Sequence, residues 1–179
     1  MNEVQAFRGE ALRALTDEIG VYALCDLDGI PIYVGQSVDG IRSRVRRHLT
    51  SARSDVIANR QVDVWEIAYV WAWPVGNVAE ITALEAYLFN LFDAEVRLMN
   101  GKVMPVQEGL VLVPEKQVVQ VIAEGERINR QDPALRLPRQ ITQYNLLVDY
   151  ILNVKDAEHL KRSLDAHFER LVRYHRTFL

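Results

Sequence analysis

Two tyrosines, Tyr22 and Tyr33, stand in a stretch whose pattern predicts a β-hairpin. Both arms alternate and are rich in β-branched and aromatic residues, and Asp28 and Gly29 between them form a strong hairpin-turn signal. A tight turn sets Tyr33 opposite Leu24, whereas a four-residue loop sets it opposite Tyr22. These registers differ by an even step, so in both the two phenols lie on one face, close enough to share a site. Ordinary aromatic packing is the competing interpretation.

An amphipathic helix is predicted after the hairpin, with Asp39 as its N-cap. Arg44 and His48 lie four residues apart and therefore stack on one flank of this helix. Either this flank is a solvated basic face, or Arg44 and His48 turn toward the tyrosines while the other arginines contact phosphates. Arginine suits such contacts because its planar fork binds phosphate oxygens and stays charged. The other arginines of the helix are Arg42, Arg46 and Arg47.

A carboxylate borders the apolar stripe of the strongest helical pattern in the chain, over residues 78–95. Glu85 lies four residues after Ile81 and three before Leu88, both of which belong to that stripe. A carboxylate partly out of water must be paired, protonated or bound to a metal. The competing interpretation is an ordinary salt bridge on the helix flank.

The tripeptides Gly20-Val21-Tyr22 and Tyr33-Val34-Gly35 resemble the paired signature of the GIY-YIG nuclease family, with Val in place of Ile in both halves. The family also carries an Arg about ten residues past the second tyrosine, a His four residues later, one Glu on the helix over residues 78–95 and an Asn after it. Arg44 is eleven residues past that tyrosine, so Arg42 and Arg46 are weaker candidates for the same role.

The resemblance implies an activity, the metal-dependent hydrolysis of phosphodiester bonds. It implies that Tyr22 takes a proton from the attacking water, supported by hydrogen bonds of Tyr33 and His48. It also implies Mg²⁺ on Glu85, with Mn²⁺ as a substitute, and an amide at Asn100 that holds the site together. The candidate catalytic residues are Tyr22, Tyr33, Arg44, His48, Glu85 and Asn100.

The predicted fold is α/β (α+β), a small three-stranded antiparallel sheet flanked by helices, with a C-terminal helical extension. A strand over residues 62–73 is expected to complete the sheet that the hairpin begins. We divide the chain into a nuclease-like core, residues 1–110, and a mainly helical extension, residues 111–179. The resemblance covers roughly residues 18–101.

The extension contains several short apolar segments. Their pattern predicts a short strand or buried extended segment at 109–114, a helix at 114–129, a linker at 130–139 and helices at about 140–153 and 156–177. The last two helices read as a hairpin that packs on the core, forms a homodimer interface or docks DNA, and the sequence leaves these uses open. The arginines available for docking are Arg162, Arg170, Arg173 and Arg176.

Charge argues against non-specific electrostatic binding of nucleic acid. The formal net charge is -3, and residues 1–100 hold 9 Arg and no Lys against 14 Asp and Glu. With no overall basic surface, DNA binding must come from local patches and weaken as salt rises. The predicted DNA contacts are Arg42, Arg46 and Arg47.

The composition of the chain argues against several other classes of protein. The single cysteine, Cys25, excludes an internal disulfide and a Cys-rich zinc site. No run approaches the ~20 apolar residues of a membrane span, and we see no signal peptide. A cytoplasmic protein with no membrane association is the default expectation.

The preferred hypothesis is a metal-dependent DNA endonuclease of a restriction or defence system. A DNA-repair or mobile-element nuclease of the same family is one alternative. A catalytically inactive module that binds nucleic acid or protein is another, and the acidic core alone favours a structural protein that contacts no nucleic acid. Substitution of Glu85 separates an enzyme from an inactive module.

Overall fold

A four-stranded antiparallel sheet forms the centre of the computed structural model, which describes residues 3–51 and 54–178. Its strands are β1 (Gly20–Cys25), β2 (Pro31–Ser37), β3 (Tyr69–Pro74) and β4 (Gln117–Gln120). The order across the sheet is β2-β1-β3-β4, and every neighbouring pair is antiparallel. The predicted fold class is confirmed, with four strands in the sheet rather than three.

Helices flank the sheet and make up most of the C-terminal half. They are α1 (Glu3–Ala11), α2 (Ile41–Thr50), α3 (Asp55–Ala58), α4 (Val78–Asp93), α5 (Glu124–Arg130), α6 (Pro133–Asn153) and α7 (Glu158–Phe178). A 3₁₀ turn at Val64–Glu66 precedes β3, so that strand begins later than predicted. Ala52 and Arg53 lie outside the described residues. None of the helices within 3–51 and 54–178 is long and apolar enough to cross a membrane.

Both faces of β1 are buried, because alternate residues of the strand serve two different cores. Tyr22 and Leu24 join the core that α1 and α2 cover, where Val45 of α2 packs against them. Val21 and Ala23 point the other way and join the core beneath α4. The α4 residues buried in that second core are Ile81, Leu84, Leu88 and Phe89.

The start of α2 differs from the prediction. Gly40, not Asp39, occupies the N-cap position, and no side chain caps the helix. Backbone contacts replace the cap, since the N–H of Arg42 donates to the Thr16 carbonyl at 3.0 Å. Gly40 has φ +104°, and a Cβ there would lie 2.7 Å from the Asp17 carbonyl oxygen, so glycine is required for this close approach.

One prediction for residues 109–129 is wrong, and the helix predicted at 114–129 is confirmed only at its end, where α5 begins at Glu124. The segment 109–114 has no strand and is not buried, since Leu110 and Leu112 are 91% and 82% exposed. Within the predicted helix at 114–129, residues 117–120 form β4, because they pair with β3 and bury Val119 against its core. Tertiary pairing therefore outweighs the local helical pattern.

The linker predicted at 130–139 is also wrong, because α6 begins inside it. Asp132 caps this helix by accepting a hydrogen bond from the N–H of Ala134 at 2.8 Å, and Pro133 takes the first helical position. Proline is favoured there because its missing N–H has no partner in the first turn. Pro133 therefore starts a helix, and Pro138 lies inside it.

The C-terminal helices pack on the core. In one contact, Arg136 of α6 lies 2.6 Å from the Asp28 carboxylate. In another, Arg170 of α7 lies 2.6 Å from Asp26. Of the three uses that the sequence left open for the last two helices, packing on the core is thus observed. This packing engages Arg170 and Arg162 in ion pairs.

The sheet continues past residue 110, because β4 belongs to it. The division of the chain at residue 110 stays a prediction.

Candidate active site

Tyr22 and Tyr33 lie on the same face of the sheet, as the alternation of the hairpin predicts. Tyr33 pairs with Leu24 and Tyr22 with Gly35, which is the register of the tighter turn. The centroids of the two rings are 6.4 Å apart. A Cβ at residue 35 would lie 2.5 Å from the Tyr22 hydroxyl, so glycine is needed there to leave room for the phenol.

His48 is buried between two hydroxyl groups. Its Nε2 lies 2.7 Å from the Tyr22 hydroxyl, and its Nδ1 lies 2.5 Å from the Ser54 hydroxyl. Burial, together with the positive charges of Arg44 and Arg47, lowers the pKa of His48 to about 4. The imidazole is therefore neutral near pH 7, and one of its nitrogens accepts a hydrogen bond.

Both phenols are also held neutral. Burial and the neighbouring Tyr33 raise the pKa of Tyr22 well above its ordinary value, and the positive charge of Arg44 does not offset them. Burial raises the pKa of Tyr33 to about 12, with Arg44 acting against the rise and Glu85 adding to it. Tyr22 therefore needs a proton acceptor beside it if it is to act as a base, and Nε2 of His48 is placed to be one.

The arginines of α2 have different surroundings. The Nε atom of Arg44 is buried without a hydrogen-bond partner, and its guanidinium forms no ion pair within the described residues. Arg42 is already engaged, since its Nε donates to the Leu15 carbonyl at 2.7 Å and the Asp17 carboxylate lies 3.9 Å away. Its contact with DNA stays a prediction. The exposed arginines of α2 that have no carboxylate partner among the described residues are Arg46 and Arg47.

Glu85 on α4 is half-buried and makes no hydrogen bond or ion pair within the part of the chain that the structure describes. Burial raises the pKa of its carboxyl group to about 7. Among the described residues, His, Cys, Asp and Glu side chains nowhere gather in threes as a metal cluster. A lone carboxylate nevertheless fits Mg²⁺, which keeps several waters and is bound through one or two protein carboxylates.

Asn100 binds the outer edge of β2, one residue from Tyr33. Its Oδ1 accepts a hydrogen bond from the Val34 N–H at 3.0 Å, and its Nδ2 donates to the Val34 carbonyl at 2.7 Å. The side-chain amide thus satisfies both backbone groups of an edge-strand residue. This arrangement fits the expected role of an amide that holds the site together.

A comparison with family models matches residues 18–100 to the GIY-YIG catalytic domain. The matched segment includes all six candidate catalytic residues. Residues 18–100 are a GIY-YIG nuclease domain. The resemblance carried by the two tripeptides is therefore confirmed. No curated protein matches the chain.

The GIY-YIG domain brings most of its candidate residues close together. The His48 ring centroid lies 5.8 Å from that of Tyr22 and 6.0 Å from that of Tyr33. Arg44 and Glu85 are near enough to act on the pKa of both tyrosines. Nucleases of this family hydrolyse phosphodiester bonds and generally depend on a divalent metal ion, and the unpartnered carboxylate of Glu85 suits that requirement.

Ser54 is a contact of the GIY-YIG site that the sequence did not reveal. It stands six residues after His48, beyond the end of α2, so no helical or strand spacing links the two. Arg162 and Ser163 contact the backbone around Asn100, and they lie 62 and 63 residues away from it along the chain. No local pattern in the sequence signals such distant contacts.

Proposed function

We propose that the protein is a Mg²⁺-dependent DNA endonuclease of a restriction or defence system. The observation that supports this most is the unpartnered carboxylate of Glu85. The more deeply buried carboxylates of Asp26, Asp63 and Glu66 each lie within 3.0 Å of an arginine nitrogen. Glu85 has no such partner although it is half-buried, and a bound cation would compensate its charge.

Glu85 would hold the ion, and water would complete the coordination shell. A divalent cation at this position supplies Lewis-acid stabilisation of the scissile phosphate and of the departing 3′ oxygen. Mn²⁺ is expected to substitute for Mg²⁺ because both accept oxygen ligands.

The base is Tyr22 acting together with His48. As water attacks the phosphorus, its proton passes to the Tyr22 hydroxyl oxygen, while the Tyr22 proton passes to Nε2 of His48. Tyr22 is then a neutral phenol before and after the step, and the imidazole of His48, whose pKa is lowered to about 4, must take the positive charge. Ser54 accepts a hydrogen bond from Nδ1–H and so favours the tautomer whose Nε2 is free to accept. Tyr33 packs beside both rings and supports their placement.

Negative charge on the phosphoryl group is stabilised by Arg44. Arg44 lies close enough to Tyr22 for its charge to act on that phenol, and it forms no ion pair among the described residues, so no carboxylate already neutralises its charge. Arg46 and Arg47, exposed on the same helix, would contact flanking phosphates of the DNA backbone. The restriction role also predicts a homodimer, because two active sites facing the two strands would cut both in one binding event.

The test is cleavage of mixed DNA by the native chain and by Glu85→Gln, with Mg²⁺ and with Mn²⁺. Glu80→Gln is the matched control, because Glu80 lies exposed in the first turn of the same helix. We expect the Glu85 variant to lose about 100-fold or more in rate, and the control to cut like the native chain. Circular dichroism verifies that each variant is folded.

Equal cutting by native protein and Glu85→Gln would remove Glu85 from the chemistry. No cutting by the native chain with either ion, combined with salt-dependent DNA binding, would favour an inactive binding module. Discrete fragments from mixed DNA support the restriction role. Cutting only at lesions or branched structures would instead favour repair, and sedimentation of the native protein tests the dimer.

A further inference from the structure

Residues 98–101 run along the free edge of β2 next to the candidate site. The Met99 N–H donates to the Ile32 carbonyl at 2.7 Å, and the Asn100 side chain binds both backbone groups of Val34. The segment therefore covers the edge strand that carries Tyr33, although it has no regular secondary structure of its own. Its position must be fixed by something other than a helix or a sheet ladder.

Two consecutive residues of α7 bind three consecutive carbonyls of this segment. Nη1 of Arg162 donates to the Leu98 carbonyl at 2.8 Å and to the Asn100 carbonyl at 2.6 Å. The hydroxyl of Ser163, which is fully buried, donates to the Met99 carbonyl at 2.8 Å. The backbone on both sides of the Asn100 amide is thus held from behind by the C-terminal helix.

The Arg162 guanidinium is itself fixed in place. Its Nη2 donates to Oδ1 of Asp93 at 2.6 Å, and the same oxygen accepts the Leu98 N–H at 2.8 Å. The guanidinium also lies 5.4 Å from the Phe89 ring centroid. A planar fork that donates in two directions suits this arrangement, whereas a single ammonium does not.

The contact between the segment and α7 is close. A Cβ at Gly101 would lie 2.7 Å from the Cβ of His159, one turn before Ser163 on α7. The Ser163 hydroxyl also receives a hydrogen bond from Nε2 of Gln61 at 3.0 Å. The helix and the segment are therefore in direct contact at this point.

We propose that Arg162 and Ser163 are positioning residues of the active site. They hold residues 98–101 against β2, and through the Asn100 amide they fix the strand that carries Tyr33. The C-terminal helix thus contributes to catalysis by holding the site in register, and Arg162 is not a DNA contact. The catalytic part of this inference rests on the proposed nuclease function, whereas the positional part does not.

The positional part is tested by amide hydrogen exchange, followed by NMR on the full chain. In Arg162→Ala we expect the amides of Val34 and Met99, which donate to Asn100 and Ile32, to exchange at least about tenfold faster. Amides between β1 and β3 should keep their native rates. Arg162→Lys, which keeps the charge beside Asp93, is the milder variant and should give an intermediate result.

Arg97→Ala is the matched control. Arg97 also joins the core to α7, through Asp165 at 3.5 Å and Glu169 at 2.9 Å, but it touches no carbonyl of residues 98–101. We expect native exchange at Val34 in this variant. Unchanged exchange at Val34 in Arg162→Ala, or equal acceleration in Arg97→Ala, would overturn the proposal.

Kinetics test the catalytic part. Because small displacements of catalytic groups can cost about 100-fold in rate, we expect Arg162→Ala to lower kcat by about 10- to 100-fold while KM and DNA affinity change less than about twofold. Weakened DNA binding with native kcat would make Arg162 a DNA contact instead. If the native chain cuts no DNA, the nuclease proposal fails on its own, and the exchange experiment still decides whether α7 holds the segment.

Discussion

Two regions that hold charged side chains partly or fully out of water differ in how those charges are paired. Where α6 and α7 meet the hairpin turn, Arg136 contacts Glu66 at 3.0 Å and Asp28 at 2.6 Å, and Arg170 contacts Asp26 at 2.6 Å. We call Asp26, Asp28, Glu66, Arg136 and Arg170 the ion-pair cluster. At the active site, by contrast, Glu85 has no partner and Nε of Arg44 has no acceptor among the described residues.

A buried polar group without a partner costs stability. Among the described residues, Nε of Arg8 and Oε1 of Gln140 are also buried without a partner, so the lack of a partner is not by itself a mark of function. The ion-pair cluster satisfies its charges internally and needs nothing from outside. The site leaves the Glu85 carboxylate and the charge of Arg44 without an ion-pair partner among the described residues, the first suited to a cation and the second to a phosphate. Substitutions in the two regions should therefore have opposite consequences.

The largest effect is expected at the proton relay. Tyr22→Phe keeps the ring but removes the hydroxyl that lies 2.7 Å from Nε2 of His48. We expect a loss of about 10²- to 10⁴-fold in the cleavage rate, the range typical of general acid–base groups. Tyr69→Phe, a partly buried tyrosine of β3, serves as the control. A native cleavage rate in Tyr22→Phe would take the phenol out of the chemistry.

The ion-pair cluster should respond in stability rather than in activity. Arg136 is 2% exposed, and Arg136→Ala leaves Glu66 and Asp26 without one of their partners. Burial raises the pKa of Glu66 even with Arg136 present, so its charge depends on the remaining arginine. We expect a loss of about 3–5 kcal/mol in the free energy of unfolding by denaturant.

Activity per folded molecule should stay native in Arg136→Ala. Arg13→Ala removes an exposed partner of Glu10 and should leave the stability unchanged within error. A loss below about 1 kcal/mol in Arg136→Ala would mean that the cluster is no structural centre.

Binding of Mg²⁺ to Glu85 should stabilise the fold, because the ion would compensate a charge that has no partner among the described residues. At pH 8, Mg²⁺ at about ten times its dissociation constant should raise the free energy of unfolding by about 1.4 kcal/mol. Glu85→Gln should show no such rise, which thermal unfolding with and without a chelator measures. An equal rise in the variant would place the ion elsewhere.

The smallest effect is expected at the exposed arginines. The double variant Arg46→Ala, Arg47→Ala should bind DNA a few-fold more weakly, and its log–log slope against salt should be shallower by about one to two. Arg176→Ala, an exposed arginine of α7, is the control and should behave like the native chain. A salt slope unchanged in the double variant would remove both residues from the interface.

Local patterns predicted the central part of the fold. The hairpin, α2 and α4 follow from alternation and helical spacing, and these elements place Tyr22, His48 and Glu85. The C-terminal half was predicted less well. Pairing with β3 makes residues 117–120 a strand, and Pro133 begins a helix where the sequence suggested a linker. The strand depends on a contact with β3 that no short window contains, whereas Asp132 followed by Pro133 is a local helix-start pattern that the linker interpretation missed.

For the candidate site, as for the fold, the sequence predicted what local spacing determines and missed what distant contacts determine. Residues four apart on one helix, or two strands joined by one turn, gave Arg44, His48 and the two tyrosines. The partners that hold these groups lie far away in sequence or in irregular segments, as Ser54 and Arg162 do. The state of Glu85 also needed the structure, because only the packing around α4 shows that nothing pairs with it.

The most direct test of the contrast is the free energy of unfolding of Glu85→Gln against the native chain, without metal, at pH 8 and near pH 4.5. The pKa of Glu85 is raised to about 7 from an ordinary 4.5, so the folded state carries a cost that is absent below pH 4.5 and complete above pH 7. Because solvent still reaches the carboxylate, we expect Glu85→Gln to be more stable by only about 1–2 kcal/mol at pH 8. The two proteins should be nearly equal near pH 4.5. A Glu85→Gln variant less stable than the native chain at pH 8 would show that Glu85 is a paired structural residue, and would contradict the account.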